Sequence, residues 1–436
     1  MPTNDFKIDI VGGSNPGKHA KISIESTYNM YISDGALISY PGYKKLITID
    51  NDYLPRAFYV STLGDFMVAV IGDGIYKITI ANEDLGTLTS DLIGSLGTRS
   101  SDVQISENGA GQIAIDDGFT LTVWDYLKGI VVVTSVQSIT PNSTTDILGY
   151  VAVSALDKNG FYYSNVNQLI DIPANPPAVP IAIPAFPVEN SGEIGSDKII
   201  GLFEFKEQLW VFGQTSIKIW SDRGLDFNPL QLDQSIVINY GVLNKNCIAS
   251  SDDYLCWIAR STNSNPYIVV SDGGQPYKIS TDGISYKISK LKNIDNCYAF
   301  MFTMDNHTFY QCTWPDANFT LIYDFDAKSF FYGSDSDLNY HIAKKVVFFH
   351  NRYYFISFND TSIYEMNSDY ENYDGEIIPR IRITKPIRMP DYSLFRTEYA
   401  DVIMEQGVNE DSGYVDTSFS KDGGRSFGNY IRVDMA

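Results

Sequence analysis

The chain is short of basic residues and has no long apolar run, and each shortage excludes a class of protein. Lys and Arg number 32 against 53 Asp and Glu, so the net charge is −21. Binding along phosphate backbones or to anionic membrane surfaces needs clustered cations, which argues against both. No stretch of about eighteen apolar residues occurs, and residues 1–10 contain no signal-peptide core. We therefore predict that the protein does not insert into a membrane and that it is made and kept in a cytoplasm.

Cysteine is also scarce. The four cysteines lie 9, 41 and 15 residues apart, at Cys247, Cys256, Cys297 and Cys312. These spacings match no zinc or redox motif. An even number leaves disulfides open, but the missing signal peptide argues against an oxidising compartment. We therefore predict four buried structural cysteines.

No motif in the sequence supplies a catalytic or metal site. The four histidines are scattered, without an H-x-H or H-x-x-x-H pair, at His19, His307, His341 and His350. Residues 12–18 superficially resemble a phosphate loop, but His19 stands where Ser or Thr is required. Acidic turns at 72–74 and 334–337 fit no twelve-residue calcium loop. We predict no enzyme activity, no cofactor and no metal ligand.

What the chain does have is aromatic residues in short β-type runs. Tyr, Phe and Trp make up 14% of the sequence, and apolar runs such as Phe66–Ile71 and Tyr353–Phe358 are bounded by Gly, Asp, Asn or Ser. Branched and aromatic side chains suit a pleated surface, and the bounding residues suit tight turns. Because no long segment has a helical period, the chain is predicted to be nearly all β.

Strand pairs of similar form recur along the chain every roughly 40–50 residues, which is the period of a β-propeller blade. Glu204–Trp220 and Val346–Tyr364 are two examples of this recurring strand pair. This spacing predicts an all-β fold with a propeller of six or seven blades. We expect an N-terminal strand, near Leu37–Ser39 or Leu46–Thr48, to close the last blade, because pairing first with last removes open edges.

The propeller is predicted to span residues 25–384, and three regions depart from its repeat. Residues 1–24 are predicted to be a flexible N-terminal arm, and residues 385–436 a small C-terminal β-sandwich-like module. The third region is an insertion at residues 173–187. Prolines crowd residues 173–187, which favours extended conformation. The apolar residues of this insertion either cover the propeller's own surface or project as contacts for a neighbouring subunit or partner: Val179, Ile181, Ile183 and Phe186.

The densest basic cluster comprises Arg380, Arg382, Lys385 and Arg388, and it follows an acidic run. Arg380 and Arg382 share one face if this segment is a strand. One interpretation is a solvated strand edge protected by charge. The other is that the basic face contacts an acidic surface of the next copy or of a partner. Such a contact would set how the two chains align more than it would add to their affinity.

Near the C-terminus an S-x-D-x-G-x-[ST]-[FW] pattern matches the Asp box of sialidase propellers, with Ser420, Asp422, Gly424, Ser426 and Phe427. Its side chains bond turn amides and its ring covers the sheet, so it predicts structure rather than catalysis. It nevertheless keeps open an alternative function, a carbohydrate-binding or glycan-hydrolysing propeller. A sialidase-like site would also need three converging arginines, and the arginines here are mostly isolated.

Several segments resemble the tail hub proteins of short-tailed phages, a family also described as tail accessory factors or packaged-DNA stabilisation proteins. Ser26–Leu46 is similar to the family's N-x-Y…PG opening, and Leu209–Gly224 (LWVFGQTSIKIWSDRG) is similar to its L-x-x-FG-x-S-T-x-x-W/Y…G segment. Further similarity extends over Asn108–Gly118, Tyr240–Ser280, Leu321–Gly333 and Ser362–Ile383. Trp210 departs from the family, which often has a smaller residue there. Members also usually continue past the Asp-Gly-Gly turn, so we expect either a truncated C-terminal module or a shorter relative of the family.

The resemblance implies a structural protein of the virion tail that is assembled in the cytoplasm of the host bacterium. It implies a homo-oligomer, a hexameric ring below the portal and its adaptor protein, that closes the exit channel, retains packaged DNA and takes part in genome ejection. A tail needle or plug protein and tailspikes would be further partners, and DNA would pass through without specific binding. The net negative charge agrees with this, because an acidic wall repels DNA and lets it slide.

Overall fold

The structure, a computed structural model, describes residues 9–18, 24–82, 86–137, 139–171, 183–184, 186–261, 264–387 and 413–435. Within these ranges strands dominate, as the aromatic and β-branched runs predict. Helical structure is confined to one α-helix and two 3-10 turns, at Asp282–Ile288, Lys245–Cys247 and Pro315–Ala317. The α-helix was not predicted from the sequence. It begins at an N-cap, where the Thr281 hydroxyl accepts a hydrogen bond from the backbone N–H of Ile284 (3.2 Å).

The described strands form seven antiparallel sheets that follow one another along the chain as blades 1 to 7. Blade 1 comprises Pro55–Val60, Met67–Ile71, Gly74–Asn82 and Thr87–Ser95; blade 2 comprises Gln104–Glu107, Gln112–Asp116, Leu121–Asp125 and Ile130–Thr134. Blade 3 comprises Pro141–Ile147, Tyr150–Ala155, Gly160–Tyr163 and Ser191–Glu193; blade 4 comprises Ile199–Phe205, Gln208–Gly213, Ile217–Asp222 and Leu230–Ile238.

Blade 5 begins with two short segments that both pair with its second strand: Gly241–Val242, Ala249–Ser250, Leu255–Ser261, Ser264–Ser271 and Tyr277–Lys278. Blade 6 comprises Tyr298–Met304, His307–Trp314, Phe319–Asp324 and Ser329–Gly333; blade 7 comprises Ala343–Phe349, Arg352–Ser357, Ser362–Asn367 and Gly42–Thr48. The innermost strands of neighbouring blades contact one another from blade 1 to blade 4, and from blade 5 through blades 6 and 7 to blade 1. Between blades 4 and 5, Gly241–Val242 contacts the second strand of blade 4. The ring of blades is therefore closed, and the predicted propeller is confirmed.

Additional strands extend two of the blades. On the outer edge of blade 6, Ile24–Tyr28 runs parallel to Ser329–Gly333 and pairs with Ile381–Ile383 and Asn15–Pro16. Outside blade 7, Asn372–Tyr373 pairs with Gly42–Thr48 and with Glu376–Ile377. Three two-stranded sheets stand apart: Met30–Ser33 with Ala36–Ser39, Ile170–Asp171 with Ile183–Pro184, and Gly413–Thr417 with Ile431–Met435. The last is what the described residues show of the predicted C-terminal module.

The propeller closes through its N-terminal segment, as predicted. Gly42–Thr48 pairs antiparallel with Ser362–Asn367 and so supplies the fourth strand of blade 7. Of the two segments proposed for this role, the one containing Leu46–Thr48 is correct, because Leu37–Ser39 belongs to a separate hairpin. Glycine is required at position 42, where an added Cβ would lie 2.2 Å from the carbonyl oxygen of Tyr370.

The apolar core consists of layers between neighbouring blades. Trp210 of blade 4 and Trp257 of blade 5, for example, are fully buried with ring centroids 6.2 Å apart. Each blade is therefore buried on both faces, which explains why its strands are continuous apolar runs with so many large rings. All four cysteines are buried and free, as predicted.

A turn of blade 5 crosses the central axis and closes one end of the channel. Asn246 donates a hydrogen bond to Asp102, before blade 2 (2.8 Å), and the Lys245 ammonium donates to the carbonyl oxygen of Asn142 in blade 3. Asn244 donates to the carbonyl oxygen of Cys297, before blade 6 (2.9 Å). Since blades 2 and 5 are not neighbours, Asn244–Asn246 must span the axis. A cavity of about 210 Å³ lies beside this plug.

The prediction of a flexible N-terminal arm is wrong for the described residues 9–18. Ser14 is only 4% exposed, and its backbone N–H donates to the carbonyl oxygen of Phe330 (2.5 Å). Its hydroxyl also accepts a hydrogen bond from the backbone N–H of Thr27 (2.9 Å). A polar, glycine-bearing segment suggested mobility, but its backbone groups are satisfied by the outer edge of blade 6.

Candidate functional site

The basic cluster proposed as a partner contact separates into a buried and an exposed part. The side chain of Arg382 is 7% exposed and lies 2.5 Å from a carboxylate oxygen of Glu25, whose side chain is 6% exposed. Arg382 also donates to the carbonyl oxygens of Ile10 (2.7 Å) and Gly13 (2.9 Å). Its guanidinium thus binds the N-terminal segment to the edge of blade 6 within one chain.

The proposed role of Arg382 as a contact to another chain is therefore corrected. Arg380, by contrast, is exposed and donates to the Ser39 hydroxyl (2.8 Å). Lys385 is 71% exposed and lies 3.6 Å from Glu25. Arg388 lies outside the described residues. Only Arg380 and Lys385 of the described cluster are placed where a partner could reach them.

The proline-rich insertion is described only at its ends. Val179 and Ile181 lie outside the described residues, and Ile183 is described only as a backbone partner of Asp171. Phe186 is 3% exposed and packs in the core between blades 2 and 3. The hypothesis that Phe186 contacts another chain is corrected, because this ring covers its own propeller.

The Asp-box residues form a hydrogen-bonded turn. One oxygen of Asp422 accepts the backbone N–H groups of Arg425 and Ser426 (both 2.9 Å), and the other accepts the Ser426 hydroxyl (2.6 Å). The Ser420 hydroxyl accepts the N–H of Gly424 (2.7 Å), a residue with φ of +82°. The Ser426 hydroxyl, with these other donors, lowers the pKa of Asp422. Phe427 remains 43% exposed and precedes the outgoing strand, so the expectation that it covers the hairpin is wrong.

Replacement of Asp422 by alanine should loosen this turn without unfolding the propeller. The variant loses the acceptor of four hydrogen bonds, all of them within the turn Ser420–Ser426 and none of them to a blade. Limited proteolysis should therefore show faster cleavage within residues 413–435 and an unchanged propeller fragment. Lys421→Ala, in the same exposed turn, is the control. Unchanged proteolysis together with loss of glycan hydrolysis would instead support the carbohydrate-active alternative.

The Asn and Tyr of the N-x-Y opening occupy buried positions on blade 6. Asn29, with φ of +51° and no exposed surface, donates to the Ser334 hydroxyl (2.8 Å) and accepts the backbone N–H of Ser334 (2.8 Å). Its amide also donates to the carbonyl oxygen of Pro379 (3.0 Å). Tyr31 packs edge-on against His307 and Phe309. The motif thus anchors the closing segment to the propeller.

The comparisons with known proteins decide the family. A family model described as "Bacteriophage P22 Gp10, beta-propeller", a phage stabilisation family, matches residues 25–371. The chain belongs to this family. It is accordingly a phage structural protein and a component of the virion, and the resemblance inferred from the motifs is confirmed.

Other comparisons add little to the phage Gp10 family match. No curated protein matches this chain significantly. Among solved structures, the N-terminal domain of Nup159 is 11% identical over 78% of this chain and 98% of its own, with a TM-score of 0.47. A chain of the mitotic checkpoint complex is 10% identical over 85% of this chain and 99% of its own, with a TM-score of 0.45. This level of overlap carries no functional information.

The titratable side chains that come together in blade 6 make contacts within the propeller. His307, Asp324 and Asp326 come together, but Asp324 accepts the backbone N–H groups of Asp326 (2.9 Å) and Ala327 (3.1 Å) and faces His307 Nδ1 (2.8 Å). Asp326 accepts the N–H of Thr308 (2.9 Å). These contacts close a turn of blade 6. Burial lowers the pKa of His341 to about 3, which keeps it neutral inside the core. In the described part of the chain, no helix has the length and apolarity to cross a membrane.

The buried carboxyl group of Asp116 should make this protein more stable at mildly acidic pH than at neutral pH. Burial raises its pKa to about 6, above the unfolded value of 3.8, although Lys245 opposes the shift. The folded state therefore holds the proton more tightly, so the free energy of unfolding should rise as pH falls from 7 towards 4, by ~3 kcal/mol from this group. Urea unfolding at several pH values should show a weaker pH dependence for Asp116→Asn than for the exposed control Asp157→Asn. Equal pH dependence would contradict the assignment.

Sequence reasoning missed two features of this region. Glu25 was not singled out, although it is the buried partner of Arg382, and its only signal was a carboxylate inside a strand-like stretch, IESTY. The channel plug Asn244–Asn246 lay within a family-like segment, but nothing in its sequence indicated contacts to blades 2 and 3. Both features depend on residues far apart in the chain.

Proposed function

We propose that this protein is the tail hub of a short-tailed phage, a hexameric ring below the portal and adaptor that closes the DNA exit channel and takes part in ejection. The observation that carries the proposal is the family match over residues 25–371, which coincides with the closed propeller. The adaptor, a tail needle or plug protein and tailspikes are the proposed partners. With a net charge of −21, the ring wall repels DNA, so the genome is retained by closure rather than by adhesion.

Arg380 and Lys385 are the proposed charged contacts in ring or adaptor assembly. Both are exposed beside the outermost strand pair of blade 6, on a chain whose surface is otherwise strongly acidic. An acidic surface of the next copy or of the adaptor complements them and sets the register of the contact. Surface ion pairs are weak and screened, so their contribution must fall with salt.

The oligomeric state of the purified protein tests the proposal. We expect ring-sized mass by light scattering, alone or after mixing with the portal–adaptor complex, and rings below the portal in negative stain. Arg380→Glu with Lys385→Glu should weaken assembly, most visibly as salt is raised. Lys44→Glu with Lys158→Glu, at exposed positions elsewhere, is the matched control. A protein that stays monomeric in both settings would contradict the hub function.

A further inference from the structure

The two ends of the propeller channel differ. The plug Asn244–Asn246 closes the end at which the innermost strands begin. The innermost strands finish at the other end, where the loops joining first to second and third to fourth strands of each blade also lie, because strands alternate in direction. We call this second end the open face. The plug and the open face therefore lie at opposite ends of the propeller.

The open face carries exposed apolar side chains on four consecutive blades. They stand on its loops and are 47–78% exposed: Leu63, Leu127, Leu148, Val166, Leu225 and Phe227. We call them the apolar rim. Single exposed apolar residues are ordinary, but a group on adjoining loops is typical of a protein interaction surface.

The loops of the apolar rim are joined by direct contacts. Glu107 at the end of blade 2 accepts hydrogen bonds from the Ser61 hydroxyl (2.8 Å) and the Thr62 backbone N–H (2.6 Å) of blade 1. The Tyr163 hydroxyl of blade 3 donates to Asn228 of blade 4 (2.5 Å). These contacts hold the rim loops as one surface rather than as separate tips.

Three carboxylates lie near the open face. Glu107, Asp146 and Glu204 lie at or next to the ends of the innermost strands of blades 2, 3 and 4. These strands are held side by side by a hydrogen bond between the Ser106 and Thr144 hydroxyls (2.8 Å) and by one from the Glu204 backbone N–H to the Thr145 hydroxyl (3.2 Å). Burial, with Glu204 and Glu107 nearby, raises the pKa of Asp146 to about 6. These carboxylates place negative charge beside the apolar rim.

We propose that the open face binds a protein segment that carries lysine or arginine between aliphatic side chains, with the cation beside Asp146 and Glu204 and the aliphatic groups covering the apolar rim. Charge complementarity selects this occupant. A nucleic acid would be repelled by the carboxylates, and a second copy of the same face would bring like charges together. This inference goes beyond the hub proposal and does not depend on ring formation.

Binding of a labelled peptide of alternating leucine and lysine, followed by fluorescence anisotropy at pH 7.5, tests the inference. Wild-type protein should bind it about tenfold more tightly than a leucine–glutamate or a serine–lysine peptide. Asp146→Asn with Glu204→Gln should weaken binding about tenfold, and so should Leu127→Ser with Phe227→Ser. Circular dichroism and melting temperature establish that each variant is folded.

Matched controls lie on the plugged end. Asp50→Asn with Asp52→Asn removes the same charge, and Leu54→Ser with Phe119→Ser removes exposed apolar groups. Both should bind the leucine–lysine peptide as the wild type does. Equal weakening by the controls would show that binding is not specific to the open face. Equal affinity for the serine–lysine peptide would show that only charge matters. Either result would overturn the inference. A change of oligomeric mass in Leu127→Ser with Phe227→Ser would identify the rim as a contact between copies and would also overturn it.

Discussion

Replacing Arg382 with alanine is expected to lower the free energy of unfolding by about 3–5 kcal/mol, because removing one partner of a buried ion pair leaves the other charge uncompensated. Arg382 and Glu25 are both less than one-tenth exposed, and Arg382 also holds the carbonyl oxygens of Ile10 and Gly13. The variant should lose protection of residues 9–18 first. Urea unfolding and hydrogen exchange measure both effects.

Arg380→Ala is the matched control for this prediction. Arg380 is two residues away but exposed, so its loss should change stability by less than about 1 kcal/mol. Replacing the whole pair, with Glu25→Gln and Arg382→Met, should recover much of the loss, since no buried charge then remains. Equal destabilisation by the two arginine variants would contradict the structural role of Arg382.

Tyr43→Ala is expected to destabilise the propeller by ~3–5 kcal/mol, the usual effect of truncating a buried aromatic residue. Tyr43 lies in the closing strand and is 5% exposed. Its ring stacks on Tyr373 at 4.5 Å between centroids and meets Phe355 (5.4 Å) and Tyr364 (5.5 Å) edge-on. Loss of this ring weakens the packing of the closing strand against blade 7, where it pairs with Ser362–Asn367.

Thermal unfolding, with hydrogen exchange along Ser362–Asn367, measures that effect. The closing strand should open before the remaining blades, so exchange at its partner strand should rise at temperatures below the global transition. Phe119→Ala removes a ring that is 63% exposed and should change stability little. If Tyr43→Ala behaved like Phe119→Ala, closure by Gly42–Thr48 would not limit stability.

The choice of variants for an assembly test depends on where Arg380 and Arg382 lie in the fold. The sequence pattern assigns both to one basic face, which suggests testing a partner contact by replacing both with glutamate. In the structure the second arginine is internal, so Arg382→Glu would unfold the blade 6 edge and imitate an assembly defect. The proposed ring contact is therefore tested with Arg380 and Lys385, whose replacement leaves the buried Arg382–Glu25 ion pair in place.

The sequence by itself determined the fold class, the repeat and the family. Short aromatic and β-branched runs, bounded by turn residues, follow from local backbone preference, and their recurrence follows from blades that each bury both faces. The need to pair an open edge was enough to place the closing strand near Leu46–Thr48. The Asp422 turn was also readable, because its hydrogen bonds join residues within four positions of each other.

Only the tertiary structure decided which charged and apolar residues are inside. Arg382 differs from Arg380 because Glu25, more than 350 residues away, lies under it. Phe186 is a core residue because blades 2 and 3 close over it. The plug and the carboxylates of the open face likewise combine side chains from several blades. Such contacts are set by how the blades pack around the axis, and no local pattern in the chain encodes which distant residue will face which.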